Sequence, residues 1–228
     1  ARFIFSGAAP MPKSLIEWFA KLDIAILQGY GMTENSIYAS ANLPSANRIG
    51  SVGREQPGAT TRIAEDGEIQ YKHPGVMTGY YKDEEKTAKT FRIFEGSRWS
   101  VPGDWATLEL DSTITLLGRG SQVINTGGEK VFPEEVEEAL KKFPGVRDAA
   151  VVGVPDPRFG ERICAVVDCL DGTTPTLADL SAHVKAHLAD YKAPRELVLA
   201  PVVRAPNGKL DYKSIRTQAL TALGMPVT

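Results

Sequence analysis

The first 45 residues place two uninterrupted apolar runs around one helical stripe. Phe3-Ile4-Phe5 and Ile24-Ala25-Ile26-Leu27 have strand length and no polar interruption. Between them Leu15, Ile16, Phe19 and Leu22 supply the apolar face of a helix. Pro12 suits its opening, because the N–H that proline lacks would be unpaired there anyway. Strand, helix, strand predicts an edge-to-centre piece of a doubly wound α/β sheet.

Residues 46–118 change texture. Thr61-Arg62-Ile63-Ala64 and Glu68-Ile69-Gln70-Tyr71 flank an Asp66-Gly67 turn and predict a hairpin. A second pair, Trp105 to Leu110 and Thr113 to Leu117, flanks Asp111-Ser112. Between the pairs a charged stretch, Asp83 to Thr90, predicts a helix with Asp83 as N-cap. Beyond residue 118, Pro133 opens a helix with Val136, Ala139, Leu140 and Phe143 at i, i+3, i+4 and i+7. Its Glu134, Glu135, Glu137 and Glu138 form an acidic start that suits the helix dipole. The runs Ala149 to Val152 and Ile163 to Val167 read as strands. A helix follows with Leu177, Leu180, Val184 and Leu188 on one stripe, and Asp211 is expected to cap a last one. This part predicts an α+β module of two or three helices on a small sheet.

Composition narrows the class. With 43% hydrophobic and 24% charged residues the chain reads as an ordinary soluble protein. A net charge of −2 speaks against a nucleic-acid partner, whose footprint is usually a basic patch. Cys164 and Cys169, the only cysteines, are five positions apart on one expected strand and so face opposite sides. No disulfide is expected, which fits a reducing cytosol. No signal peptide and no long apolar span are visible.

The chemistry concentrates in Gln28-Gly29-Tyr30-Gly31-Met32-Thr33-Glu34, read as a glycine-punctuated turn after a buried strand. A ring can stack on a purine, a hydroxyl can bond a phosphate oxygen, and a carboxylate can hold Mg²⁺. The glycines permit close backbone approach. Further along come Gly103-Asp104, Gly118-Arg119, Gly127-Gly128-Glu129-Lys130-Val131 and Asn207-Gly208-Lys209. Singly each has a plain reading: a turn carboxylate, a solvated charge at a helix entrance, an exposed lysine. His183 and His187 stand at i, i+4, but no Glu completes a zinc motif and a solvated helix face is the better reading. His73 before Pro74 reads as turn.

Together these motifs resemble the adenylate-forming superfamily of acyl-CoA synthetases, luciferases and peptide-synthetase adenylation domains. The texture of Trp105-Ala106-Thr107, Ile114 to Ser121 and Ile124 to Val131 resembles actinobacterial fatty-acyl and steroid-acyl CoA ligases. The resemblance implies ATP or AMP, Mg²⁺ and coenzyme A as ligands and a hydrophobic carboxylic acid as substrate. It implies that Tyr30 stacks on adenine beside Gly31 and the small segment Ser6-Gly7-Ala8-Ala9. Thr33 would bond the α-phosphate and Glu34 would ligate Mg²⁺. Asp104 would hold the ribose, helped by Arg119. Gly127, Gly128 and Lys130 would line the pantetheine path, and Lys209 would reach the carboxylate and the α-phosphate. Pro102 stands where Thr is commoner, and Gln122 where the family's hinge often has Asp or Lys.

The resemblance divides the chain into residues 1–118, the end of a large α/β domain with a small β-barrel subdomain at 46–118, a hinge at 119–122, and a small mobile α+β domain at 123–228. The chain begins without Met and lacks the family's glycine-rich phosphate loop, so a C-terminal fragment, poorly active alone, is expected. Loading of a carrier protein and non-catalytic nucleotide binding are the alternative readings. An oily substrate would be compatible with peripheral contact with a lipid surface.

Overall fold

The computed structural model describes residues 2–7 and 11–227. The chain divides into two compact units, Ala1–Gly120 and Ser121–Thr228.

In the first unit β1 (Ile4–Ser6), α1 (Lys13–Ala20) and β2 (Ile26–Tyr30) follow the predicted order. β1 pairs parallel to β2, with Ile4 opposite Ile26. Pro12 is the N-cap of α1. Of the predicted apolar stripe only Ile16 is buried; Leu15 and Leu22 are exposed, as are Trp18, Phe3 and Phe5. β2 begins and ends later than predicted, so Gln28, Gly29 and Tyr30 are strand residues rather than turn. Gly29 is small for contact, because a Cβ there would lie 2.3 Å from the Phe5 ring.

β3 (Ser40–Ala41) and β4 (Arg54–Glu55) extend this sheet antiparallel, in the order β1-β2-β3-β4. The predicted Asp66-Gly67 hairpin forms as β5 (Thr60–Ile63) and β6 (Ile69–Lys72). Asp83 caps α2 (Glu84–Thr90) by accepting from Lys86 N–H at 2.9 Å. A hairpin not foreseen, β7 (Phe91–Phe94) and β8 (Ser97–Ser100), completes a sheet of order β5-β6-β8-β7. The last pair is β9 (Asp104–Leu108) and β10 (Ile114–Arg119).

The barrel expected over residues 46–118 does not close. β6 meets β8 through the single pair Tyr71 and Ser100. The β9–β10 ribbon meets the β5–β6 hairpin through one bridge, Glu68 to Trp105. The strands are too short to carry continuous hydrogen bonding round a ring, and open sheets result. Ile69, Tyr71, Ala106 and Ile114 hold them on one apolar core, with Tyr30 against its side.

Gly53 locks the ribbon to the first sheet. Ile114 and the 52–53 backbone exchange two hydrogen bonds of 2.8 Å. Gly53 has φ +76°, and a Cβ on it would fall 1.9 Å from the Ala41 carbonyl carbon. Backbone cannot yield there. Gly53→Ala should destabilise the first unit by about 3 kcal/mol or more, combining left-handed strain with overpacking. Gly58→Ala, at φ +81° with nothing within 4 Å, should cost only about 1–2 kcal/mol. Tryptophan-monitored denaturation reads this unit alone, because all three tryptophans lie in it. Equal midpoints for the two variants would refute the steric account.

The second unit is built on β13 (Val146–Asp156) and β14 (Gly160–Cys169), antiparallel neighbours. β11 (Ile124–Thr126) and β12 (Glu129–Val131) join at the Gly160 end, and β15 (Glu196–Leu199) runs parallel to β14. The continuous apolar runs arise because both faces are covered. Ala149, Val151, Ile163, Ala165 and Val167 face α3 (Pro133–Leu140) and α4 (Leu177–Lys185). Ala150, Val152, Val154, Cys164 and Val166 face α5 (Tyr212–Ala222). Asp211 caps α5 through Ser214 N–H. Cys164 and Cys169 belong to opposite faces and are both free. Burial pushes the Cys164 thiol up to about 12. Among the described residues no helix is long and apolar enough to cross a membrane.

Candidate nucleotide site

β2 delivers Tyr30 at its end, and the chain then winds through a short 3₁₀ turn, Thr33–Asn35. The winding is tight. A Cβ on Gly31 would come 2.3 Å from the Ile37 carbonyl oxygen, so only glycine fits there. Ile37 N–H returns to the Met32 carbonyl at 2.7 Å, and both Ser36 (φ 58°) and Ile37 (φ 63°) take left-handed backbone. For a β-branched residue that conformation is strained, by roughly 1–3 kcal/mol. The loop leaves Thr33 exposed and Glu34 half-buried. Gly7 follows β1 and is described, with the Gly29 carbonyl 3.5 Å from where its Cβ would be; Ala8 and Ala9 lie outside the described residues.

Asp104 opens β9 and Arg119 closes β10, and antiparallel pairing sets them directly opposite each other. Arg119 Nε donates to Asp104 Oδ1 at 3.1 Å. The Tyr30 hydroxyl donates to Asp104 Oδ2 across 74 residues of sequence. Three predicted residues, Tyr30, Asp104 and Arg119, therefore share one carboxylate. The Asp104 side chain is 10% exposed and that of Arg119 69%, so the group has a buried side and an open one. Burial, then the Asp104 charge, pushes the Tyr30 phenol well up, keeping it a donor. The Tyr30 ring also lies 5.7 Å from that of Tyr71, tilted by 34°. An ionised carboxylate offers about four acceptor positions, so Asp104 keeps capacity for ligand hydroxyls beside its two protein donors.

Glu34 has a partner that the sequence did not signal. The Tyr80 hydroxyl donates to Glu34 Oε1, and Met77 N–H donates to the Glu34 carbonyl at 3.0 Å. The Tyr80 phenol is raised by burial and by this bond. Among the described residues no group of three or more His, Cys, Asp or Glu could hold a metal. A lone carboxylate suits Mg²⁺ that keeps water and phosphate as its other ligands.

The remaining predicted residues lie in the second unit. Gly127 (φ 63°) and Gly128 (φ 91°) turn β11 into β12, which carries Lys130. Gly127 N–H donates to the Phe159 carbonyl at 2.9 Å, so the turn is tied to the β13–β14 connection. Lys209 is exposed at the Asn207-Gly208 turn, where Asn207 Oδ1 accepts its N–H at 3.1 Å. His183 is not simply solvated: its ring nitrogen contacts the Ala139 carbonyl at 3.0 Å. His73 is a turn residue as predicted, its Nδ1 accepting from Gly75 N–H at 2.9 Å.

An aromatic hydroxyl, a carboxylate and a guanidinium thus form one open-sided cluster beside a glycine-locked loop. The AMP-binding enzyme family model matches residues 1–81, and the AMP-binding enzyme C-terminal domain matches residues 135–209. The chain belongs to the AMP-binding, adenylate-forming enzymes. It is 56% identical over 143 residues to the medium/long-chain-fatty-acid–CoA/3-oxocholest-4-en-26-oate–CoA ligase of Mycolicibacterium smegmatis, matching 62% of this chain and 26% of that protein. It is 35% identical to the sulfoacetate–CoA ligase of Cupriavidus necator, over 96% of this chain and 45% of that one. ATP-bound MatB from Rhodopseudomonas palustris overlays 95% of this chain and 45% of its own, with TM-score 0.85 and 32% identity. The match thus spans from about a quarter to under half of these relatives' lengths.

Proposed function

We propose that this chain is the C-terminal part of an ATP-dependent acyl-CoA ligase acting on a fatty acid or related hydrophobic carboxylic acid. In the first half-reaction a carboxylate oxygen attacks the α-phosphorus of ATP, giving acyl-AMP and pyrophosphate. In the second the thiol of coenzyme A attacks the acyl carbon, giving the thioester and AMP. The observation that carries the reading is the convergence of Tyr30 and Arg119 on Asp104. The names of the ligases that match the chain point the same way.

In this reading the residues position and neutralise rather than attack. Asp104 accepts both ribose hydroxyls. Tyr30 offers its ring face to adenine while its hydroxyl braces the carboxylate, and Gly7, Ala8 and Gly31 leave room for the base. Thr33 donates to the α-phosphate. Glu34 ligates Mg²⁺, which when bound offsets phosphate charge. Lys209 stabilises negative charge moving toward pyrophosphate, and Gly127, Gly128 and Lys130 serve the pantetheine arm. Residues 119–122 form the hinge on which the second unit changes pose between the half-reactions. The sheets of residues 46–118 act as a subdomain supporting Asp104.

Calorimetric titration of the chain with a non-hydrolysable acyl-adenylate mimic tests the site. Asp104→Asn should weaken binding by about 10- to 100-fold, the worth of hydrogen bonds to a charged group. Unchanged affinity in a variant with a native circular dichroism spectrum would remove Asp104 from the site. Release of product only with coenzyme A present, in the ligase carrying this chain, separates this reading from carrier-protein loading.

A further inference from the structure

The turn that carries Lys209 is held by more than its own backbone. Locally it is a small hairpin: Arg204 bridges Leu210, Ala205 N–H donates to the Lys209 carbonyl at 2.8 Å, and Gly208 N–H donates to the Ala205 carbonyl at 2.8 Å. Exposed hydrogen bonds of this kind open readily. Arg204 adds a tie to the core. Its Nε and Nη2 donate to Asp148 Oδ2 at 3.0 and 2.7 Å, while Nη1 donates to the Gly208 carbonyl at 2.8 Å. Asp148 belongs to β13, opposite Asp168 on β14, and so rides on the longest strand pair of the unit. A planar guanidinium using three donors fixes direction as well as distance.

The other flank of Lys209 is tied as well. Asp211 N–H donates to the Val203 carbonyl at 3.1 Å, and the Tyr212 hydroxyl donates to Glu137 of α3 at 3.1 Å. One peptide before Lys209, the Gly208 carbonyl is thus clamped by a side chain that is itself clamped to the sheet. As an exposed ion pair, 41% and 21% open at its two side chains, Arg204 with Asp148 adds little to stability. Stability therefore does not account for a guanidinium that places two donors on Asp148 and its third on the carbonyl beside the lysine.

We infer that Arg204 is a positioning residue for Lys209, holding the Gly208 carbonyl to Asp148 so that the ammonium is presented in one direction. The inference rests on the adenylation reading above. It separates two quantities that a structural residue would move together, because a misplaced donor costs rate without costing fold.

The test compares Arg204→Gln, Arg204→Lys, Asp148→Asn and Lys209→Ala in the ligase that carries this chain. Acid-dependent exchange of pyrophosphate into ATP reads the first half-reaction, and thioester formation from supplied acyl-adenylate reads the second. Arg204→Gln should lower the exchange kcat by about 10²-fold, the effect of roughly 1 Å of misplacement. KM for the acid, the second half-reaction and the melting temperature should hold. Arg204→Lys should not rescue, since an ammonium lacks the fork, and Asp148→Asn should fall between. Full exchange in Arg204→Gln beside a crippled Lys209→Ala would overturn the role of Arg204 alone. Full exchange in Lys209→Ala would overturn the adenylation reading and this inference with it. Equal loss in both half-reactions, or a lowered melting temperature, would make Arg204 structural and overturn the inference.

Discussion

Lys209→Ala in the ligase that carries this chain should lower acid-dependent pyrophosphate exchange by roughly 10²–10³-fold, the usual cost of deleting one pre-positioned donor. Thioester formation from supplied acyl-adenylate should be largely spared. Gly208, at φ +81°, turns the chain so that the lysine stands exposed, and the Asn207 and Arg204 contacts keep that turn in one shape. In the proposed reading a cationic group delivered this way acts on charge developing between the α-phosphate and the departing pyrophosphate. In that same reading the Gly127 to Lys130 turn, not Lys209, serves the pose in which a thiol displaces AMP from the acyl carbon, so the two half-reactions should respond differently. If both fell by the same factor, the division of labour between Lys209 and the Gly127 to Lys130 turn would be wrong.

The second unit should become less stable as pH rises through neutrality, and Glu137→Gln should abolish that trend. Glu137 is 3% exposed on α3. Burial pushes its carboxyl up to about 7, helped by the Glu134 charge and opposed by Val151 N–H, Lys141 and the Tyr212 hydroxyl. A folded value above the unfolded one means the folded state holds the proton more tightly. The stabilisation is complete below the unfolded pKa of roughly 4.3 and is lost as pH rises through about 7. The difference corresponds to about 3–4 kcal/mol. The amide introduced by Glu137→Gln would still accept from Val151 N–H, which lies 2.9 Å from Glu137 Oε1 in the native chain, and would carry no charge to desolvate.

Three other carboxylates of the unit are shifted the opposite way. Hydrogen bonds hold Asp156, Asp179 and Asp211 below the usual range, so their contribution is present above it and disappears only in stronger acid. Between about pH 5 and pH 8 the contribution of these three is therefore constant, and comparison with Glu137→Gln isolates that of Glu137. Hydrogen exchange of β13 and β14 amides, followed by mass spectrometry across that window, measures the effect without relying on tryptophan. Protection that is flat with pH in the native chain, or that falls equally in Glu137→Gln, would sink the prediction.

Much of this molecule is readable from neighbouring residues along the chain. The runs Ala149 to Val152 and Ile163 to Val167 are apolar at every position, which only a strand covered on both faces tolerates. Asp83 and Asp211 cap helices because a short carboxylate reaches the free N–H groups one turn on, a local matter. The Asp66-Gly67 turn fixes its hairpin for the same reason. The glycine-bearing motifs are equally local, since each is a glycine with a functional group beside it.

Contacts between distant segments required the tertiary structure. Nothing in the order of residues says that Tyr30 meets Asp104, 74 positions away, or that Tyr80 meets Glu34. Glu137 illustrates the limit, because among four glutamates at one helix start periodicity does not tell which one faces Val151 and Tyr212. Barrel closure failed as an expectation because it depends on how far hydrogen bonding runs between sheets, not on any one hairpin. Local geometry and hydrophobic period are properties of short stretches, so the sequence alone determined the Asp66-Gly67 hairpin, the Asp83 and Asp211 caps and the central strands of the second unit, but not the β7–β8 hairpin. Pairing of side chains across the fold depends on where packing brings separate elements, and the tertiary structure alone decided it.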